Sequence, residues 1–205
     1  PPLLTKLKKP CLRCLLNRLI KMSKTIRNYQ PPRILGPVFL FSTILGFGKF
    51  PYAPGTIGSI LGLLDFTLIS VGLSKSLNFT LLPVIFVIAL ICVHEYCKIT
   101  HNHDPKEVII DEYLGQYIAL LLSYTALYFL IPDLVLDDNG QLMINWWVII
   151  AAFISFRFFD ICKLGPVKYF DQKQTAFGVI ADDIAAGIIA FIVVFLGSWL
   201  FSLSF

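Results

Sequence analysis

The chain has 205 residues, of which 57% are hydrophobic and 15% are charged, and its formal net charge at pH 7 is +4. A mean hydropathy of +0.76 and long uncharged runs are typical of an integral membrane protein and argue against a water-soluble domain. Nine of the 17 basic residues lie within residues 1–33, and the aromatic residues are spread through apolar runs, so the charge does not indicate a nucleic-acid partner.

Residues 1–33 form a basic tail without acidic residues, which we predict to be separate from a membrane-embedded domain at residues 34–205. Within the tail, leucines between residues 12 and 19 recur at helical spacing, with arginines between them. This pattern is typical of an amphipathic helix on an anionic membrane surface. A solvated basic tail fits the same residues equally well.

Five later segments are apolar and close to the roughly 20 residues that a helix needs to cross a bilayer. They are residues 56–73, 79–97, 113–131, 144–159 and 184–205. A sixth apolar stretch, residues 34–48, is too short and runs into GKFPYAPGTIGS, whose Gly and Pro disfavour a helix. We therefore predict an all-α, polytopic integral membrane protein with about five transmembrane helices and one short re-entrant or interfacial segment that does not cross.

The distribution of basic residues favours this topology. If residues 34–48 do not cross, the tail, Lys49 and the loops 98–112 and 160–182 share one face of the membrane. That face then holds every Lys and Arg except Lys75, counting Arg157 at its edge, which is the bias expected of the cytoplasmic face. A crossing segment would place the tail opposite both acidic loops and weaken the bias.

Acidic residues gather on the same predicted face. They are Asp104, Glu107, Asp111, Glu112, Asp160, Asp171, Asp182 and Asp183, with Glu95 near the end of the second span. Hard divalent cations prefer carboxylate oxygens, and Mg²⁺ typically binds through a few carboxylates and a substrate phosphate. Adjacent acids lie about 100° apart on a helix, so one of each pair can bind metal while its neighbour supports it or acts as a base. Asp182-Asp183 also precedes the last predicted span, where one of the two could cap the helix.

Basic residues accompany these acids at helical spacing. Arg157, Asp160 and Lys163 recur every three residues and would lie along one side of a helix that leaves the membrane. They could form a ladder of ion pairs. Alternatively, Arg157 and Lys163 could bind phosphate oxygens while Asp160 holds metal.

The segment GFGKFPYAPGTIGS at residues 46–59 is a second candidate for phosphate binding. Its backbone N–H groups and Lys49 could lie near a phosphate, with Thr56 and Ser59 opening a helix. A plain turn at the membrane interface explains the segment equally well, because it matches no established glycine-rich motif.

Other phosphatase chemistries are not indicated. The five cysteines are scattered, and none is followed six positions later by an arginine. A serine nucleophile elbow is also absent from the sequence. A carboxylate-rich, metal-assisted site at a membrane surface is the chemistry that remains.

Four motifs in order complete the pattern: GFGKFPYAPGTIGS, HDPKEVIIDEYLGQ, FRFFDICKLGPVKYFD and GVIADDIAAG. Together they resemble the phosphatidylglycerophosphatase A family over about residues 44–190. That resemblance implies a magnesium-dependent enzyme of the bacterial inner membrane that converts phosphatidylglycerophosphate to phosphatidylglycerol and phosphate. It makes residues 34–205 the membrane-embedded catalytic domain.

The resemblance assigns site residues by position. Catalytic roles fall on Asp111, Glu112, Arg157, Asp160, Lys163, Asp182 and Asp183. Substrate binding falls on Gly55, Thr56, Ser59, Asp104, Arg157 and Lys163, and the reading of the glycine-rich segment itself adds Lys49. Metal binding falls on Glu95, Asp111, Glu112, Asp160, Asp182 and Asp183. The chain departs from the family pattern at Lys163-Leu164-Gly165-Pro166, where the family usually has Lys-Pro-x-Pro, so the turn after Lys163 is expected to differ.

Several alternatives stay open. The phosphate could be attacked by a metal-activated water or by a carboxylate that forms an acyl phosphate. Another lipid phosphate could be the substrate. A transporter would use Asp65, Glu95 and Arg157 as charges on a translocation path, but it predicts paired broken helices and internal symmetry.

Overall fold

The computed structural model of the protein describes residues 36–72, 75–137, 143–173 and 175–203. The predicted tail at residues 1–33 lies outside the described residues. In chain order, the α-helices are α1 (Gly36–Ser42), α2 (Pro54–Gly72), α3 (Lys75–Thr100), α4 (Ile110–Leu130), α5 (Trp146–Cys162), α6 (Pro166–Asp171) and α7 (Ala176–Ser202). Short 3₁₀ turns follow α1 at Phe47–Lys49 and α4 at Pro132–Leu134. The predicted all-α class is confirmed.

Three of these helices are long and apolar enough to cross a membrane: α3 from Leu77, α4 and α7. The chain is therefore a membrane protein. Helices α2 and α5 are shorter, with 19 and 17 residues, so the number of spans stays a prediction. Helix α1 has seven residues, a length of about 10 Å against a hydrocarbon layer of about 30 Å. At this length α1 alone cannot cross the layer, which agrees with the predicted non-crossing segment, but the topology of residues 34–48 stays a prediction.

Helix α4 lies at the centre of the bundle, with most of its residues buried. Glycines allow the close contacts on its two sides. On one side, a Cβ on Gly58 of α2 would lie 2.6 Å from the Ile109 carbonyl oxygen. On the other, a Cβ on Gly187 of α7 would lie 3.2 Å from the carbonyl carbon of Gly115. Small residues permit such backbone approach in membranes, and the Gly115–Gly187 crossing lies one turn from the acids of both helices.

A polar network crosses the apolar interior between α2, α3 and α4. The Tyr113 hydroxyl donates to Asp65, and the Tyr117 hydroxyl donates to Asn78. The Asn78 side-chain amide in turn donates to Ser70 Oγ over 2.9 Å. Asp65, the acid within the first predicted span at residues 56–73, therefore has a structural partner on the neighbouring helix.

Helix α7 begins earlier than predicted. Its N-cap is Thr175, whose Oγ1 accepts a hydrogen bond from the Gly178 N–H. Asp182 and Asp183 consequently lie inside the helix, and the interpretation that one of them caps it is wrong. The apolar pattern placed the boundary at residue 184 because it treated these two buried acids as part of a loop.

Candidate active site

Three carboxylates from two helices form the centre of the site. Asp111 and Glu112 lie in the first turn of α4, and Asp183 faces them from α7. One oxygen from each lies within 4.8 Å of the other two. Asp111 and Asp183 are each 5% exposed. We refer to Asp111, Glu112 and Asp183 as the carboxylate cluster.

The carboxylate cluster leaves oxygen atoms without partners. Glu112 Oε2 and Asp183 Oδ1 are buried and accept no hydrogen bond from the described residues. Like charges at this separation repel, and burial without compensation adds a desolvation cost. A divalent cation would offset both costs, and an all-oxygen set suits Mg²⁺ better than a soft metal. The residues present therefore fit a hard divalent cation.

Lys163 bridges two further acids beside the cluster. Its Nζ donates to Asp182 over 2.9 Å and also to Asp171. Partial burial favours the neutral amine, but the hydrogen bonds and charges of Asp171 and Asp182 outweigh it, so the pKa of Lys163 lies above its ordinary value. The Lys163 side chain is one-third exposed, so an ammonium that stays charged faces the cavity.

The turn after α5 places Lys163 there. Lys163 itself ends α5 with a left-handed φ of 46°, and Gly165 follows at φ 57° and ψ −121°. The Gly165 conformation strongly favours glycine, and Pro166 then starts α6 with a suitable φ. This turn directs Lys163 toward Asp171 and Asp182.

Arg157 is held by protein groups. Its Nη1 lies 2.6 Å from Asp160 Oδ2 and donates to Ser59 Oγ over 3.3 Å. A Cβ on Gly55 would collide with the Glu112 carboxyl group and lie 3.3 Å from Arg157 Nη1. Gly55 and Ser59 therefore contact site residues directly and make room for them at the start of α2.

A cavity of about 290 Å³ opens beside these groups. Its polar lining combines residues of α4, α5, α6, α7 and the loops beside them: His103, Asp104, Asp111, Glu112, Asp160, Lys163, Asp171, Lys173, Asp182 and Asp183. We call it the carboxylate cavity. It brings together the two acidic regions that the sequence predicts to share one face.

Other predicted site residues lie elsewhere. Glu95 pairs with Lys98 at 3.9 Å on α3 and does not line the carboxylate cavity. Lys49 is exposed, with its Nζ 4.4 Å from the centre of the Phe39 ring. Thr56 is half-buried in the first turn of α2, and it too is not a lining residue.

From the sequence, Asp171 is expected only among the acids of the predicted face, and Lys173 and His103 have no predicted site role. All three line the carboxylate cavity. Asp171 follows Lys163 across a non-helical turn, so helical periodicity gives no signal for their pairing. His103 precedes Asp104, and that adjacency was the available signal.

Most of the chain is similar in sequence to one family of known proteins. The model of the family described as phosphatidylglycerophosphatase A matches residues 40–198. The chain is 36% identical over 165 residues to phosphatidylglycerophosphatase A of Haemophilus influenzae, covering 79% of this chain and 89% of that protein. The corresponding Escherichia coli protein is 28% identical over 159 residues, covering 77% and 81%.

A third relative carries a different name. A Bacteroides thetaiotaomicron protein provisionally named phosphatidylinositol-3-phosphatase is 32% identical over 167 residues, covering 78% of this chain and 92% of that protein. No solved structure matches the chain.

Proposed function

Since the chain belongs to the phosphatidylglycerophosphatase A family, we propose that it hydrolyses the terminal phosphomonoester of phosphatidylglycerophosphate and releases phosphatidylglycerol and phosphate. The observation that supports this most strongly is the carboxylate cluster, in which three acids from two helices bring oxygens within 4.8 Å of one another. A cavity lined by these acids and by Lys163 suits a phosphate that arrives with its metal.

Magnesium is the proposed cofactor, held by Asp111, Glu112 and Asp183, with Asp160 and Asp182 beside them. When bound, it would neutralise phosphate charge and activate a water for in-line attack. Lys163 donates to the phosphoryl oxygens and compensates the charge that spreads over them in the transition state. Asp182 and Asp171 hold the Lys163 ammonium in place.

Arg157 has a positioning role in this proposal. The Arg157 guanidinium group contacts Asp160 and Ser59. Arg157 is not among the residues that line the carboxylate cavity. It fixes the Asp160 carboxylate and offsets the charge of the acids around it. Gly55 and Ser59 support Arg157, while Asp104 borders the cavity at its loop side.

The nucleophile is a water or a carboxylate. A stoichiometric phospho-enzyme trapped from labelled substrate, stable to mild acid but cleaved by alkali and hydroxylamine, would identify a carboxylate, because direct attack by water leaves no phosphate on the protein. Its absence under single-turnover conditions supports water.

A second lipid substrate is favoured by the relative named as a phosphatidylinositol-3-phosphatase. The two named substrates share a chemical plan: a phosphodiester joins the diacylglycerol to a polyol, and the polyol carries a phosphomonoester. The test is phosphate release from phosphatidylglycerophosphate, phosphatidylinositol 3-phosphate and phosphatidic acid with matched acyl chains. Phosphatidylglycerophosphate should have the highest kcat/KM, and a clear preference for either other lipid contradicts the assignment.

A transporter is less consistent with the described residues. Helices α4 and α7 run without a break, and Asp65 bonds to Tyr113.

We further propose the bacterial inner membrane as the location, with the site and residues 1–33 on the cytoplasmic side. The basic residues on that face support this orientation.

A further inference from the structure

A second cavity, which several polar side chains line, adjoins the carboxylate cavity at His103. It has a volume of about 500 Å³ and lies between the end of α3, the loop after it and the start of α7. Its polar lining consists of His94, Lys98, His101, Asn102, His103 and Thr175. We call it the histidine pocket.

The histidine pocket differs from its neighbour in charge. It contains one ammonium and three imidazoles, and none of its described lining residues is acidic. Imidazole can donate a hydrogen bond in either protonation state, and Asn102 and Thr175 add further donors. The Lys98 side chain is 70% exposed, and its contact with Glu95 is a long 3.9 Å. These groups suit an anion with several oxygen acceptors.

A metal fits the histidine pocket poorly. Among the described residues, the carboxylate cluster is the group of three or more His, Cys, Asp or Glu side chains whose ligand atoms all lie within 4.8 Å of one another. The imidazoles of the pocket do not converge in this way. A larger ligand that takes separate hydrogen bonds matches their spread.

His103 connects the two cavities, because it lines both. The loop that carries it is fixed by local bonds: Cys97 Sγ donates to the His103 carbonyl over 3.3 Å, and Asn102 donates to the Asp104 carbonyl over 3.2 Å. A ligand with one anionic group in each cavity would therefore pass His103.

We propose that the histidine pocket binds the phosphodiester of the lipid substrate while the phosphomonoester occupies the carboxylate cavity. This inference rests on the proposed function, whose substrate carries these two groups on a single glycerol. The pocket thereby selects lipids with both groups over lipids with a phosphomonoester alone. It also predicts product inhibition, because phosphatidylglycerol keeps the phosphodiester.

The test uses full-length Lys98→Gln and His101→Asn in mixed micelles. Asparagine suits position 101 because the backbone there has a left-handed φ of 52°. Each variant should raise both the KM for phosphatidylglycerophosphate and the inhibition constant of phosphatidylglycerol about fivefold, the size expected for one exposed charge-assisted hydrogen bond. The kcat should stay near that of the wild type, because neither residue touches the carboxylate cluster.

Lys106→Gln is the matched control, since Lys106 is an exposed lysine in the loop after α3 and lines neither cavity. Inhibition by inorganic phosphate, which lacks a diester, should be equal in Lys98→Gln and the wild type. The inference is overturned if Lys98→Gln behaves like Lys106→Gln, if only phosphate inhibition changes, or if kcat falls at unchanged KM. A wild-type protein that releases no phosphate from this lipid contradicts the proposed function itself.

Discussion

Asp183 is a buried acid whose environment calls for a cation beside it. It is 5% exposed, its Oδ1 has no hydrogen-bond partner among the described residues, and it lies within reach of Asp111 and Glu112. A buried carboxylate in that position costs stability unless a cation joins it. We therefore treat Asp183 as the residue whose charge is most directly tied to function.

Asp183→Asn keeps the shape of the side chain and removes its charge. We expect kcat to fall about 10³-fold, because several kcal/mol of metal-assisted transition-state stabilisation depend on the carboxylate. Folding stability without metal should be unchanged or increased, because one of three repelling charges is gone. The measurements are phosphate release and thermal unfolding in detergent.

Asp133→Asn provides the matched control, because Asp133 is an exposed acid in the 3₁₀ turn after α4. It should retain wild-type activity. An Asp183→Asn protein that is as active as this control would contradict the assignment of the cluster.

At the scale of helices, the site depends on how closely α4 and α7 approach. Gly115 and Gly187 meet at the crossing, and a Cβ on Gly115 would lie 2.7 Å from the Asp183 carbonyl oxygen. The crossing therefore sets the separation of the acids that the two helices carry. Helices in lipid associate largely through such close packing.

Gly187→Ala should separate the two helices. We expect a loss of stability of about 1–3 kcal/mol and a larger loss of activity, because a small displacement moves Asp183 away from Asp111 and Glu112. Gly197→Ala on the same helix is the control, since a Cβ there meets no atom within 4 Å. Equal melting temperatures and activities for the two variants would show that the crossing does not position the site.

The apolar runs were sufficient to predict the all-α class and the long helices, because crossing a bilayer requires a helix of about 20 apolar residues. They misplaced the start of α7, since buried acids such as Asp182 look like loop residues until a partner is known. The pairing of Lys163 with Asp171 and the contact of Ser59 with Arg157 depend on tertiary packing. Sequence spacing contains no signal for either.

At the scale of the whole molecule, the helix ends that carry the site lie together. The start of α4, the end of α5 and the first turns of α7 all contribute to the carboxylate cavity. In the proposed orientation, these helix ends form one face that is accessible from the cytoplasm. The exposed Cys162 at the end of α5 reports on that face without any substitution.

A membrane-impermeant maleimide tests the orientation. Cys162 should be unlabelled in intact bacterial spheroplasts and labelled in inverted membrane vesicles, as read by mass spectrometry of its peptide. A cysteine introduced as Asp133→Cys should show the reverse pattern, because Asp133 follows the end of α4 and the site lies at the start of α4. Labelling of Cys162 in intact spheroplasts would place the site on the opposite face.

We propose that the carboxylate cluster makes this protein a metal-dependent lipid phosphatase. The most direct test of this claim is phosphate release from phosphatidylglycerophosphate in detergent micelles, measured after chelation and again after Mg²⁺ is added back. We predict that chelation abolishes release and that Mg²⁺ restores it, because the cluster supplies oxygen ligands suited to that ion. Phosphate release that continues at the same rate in chelator would contradict the claim.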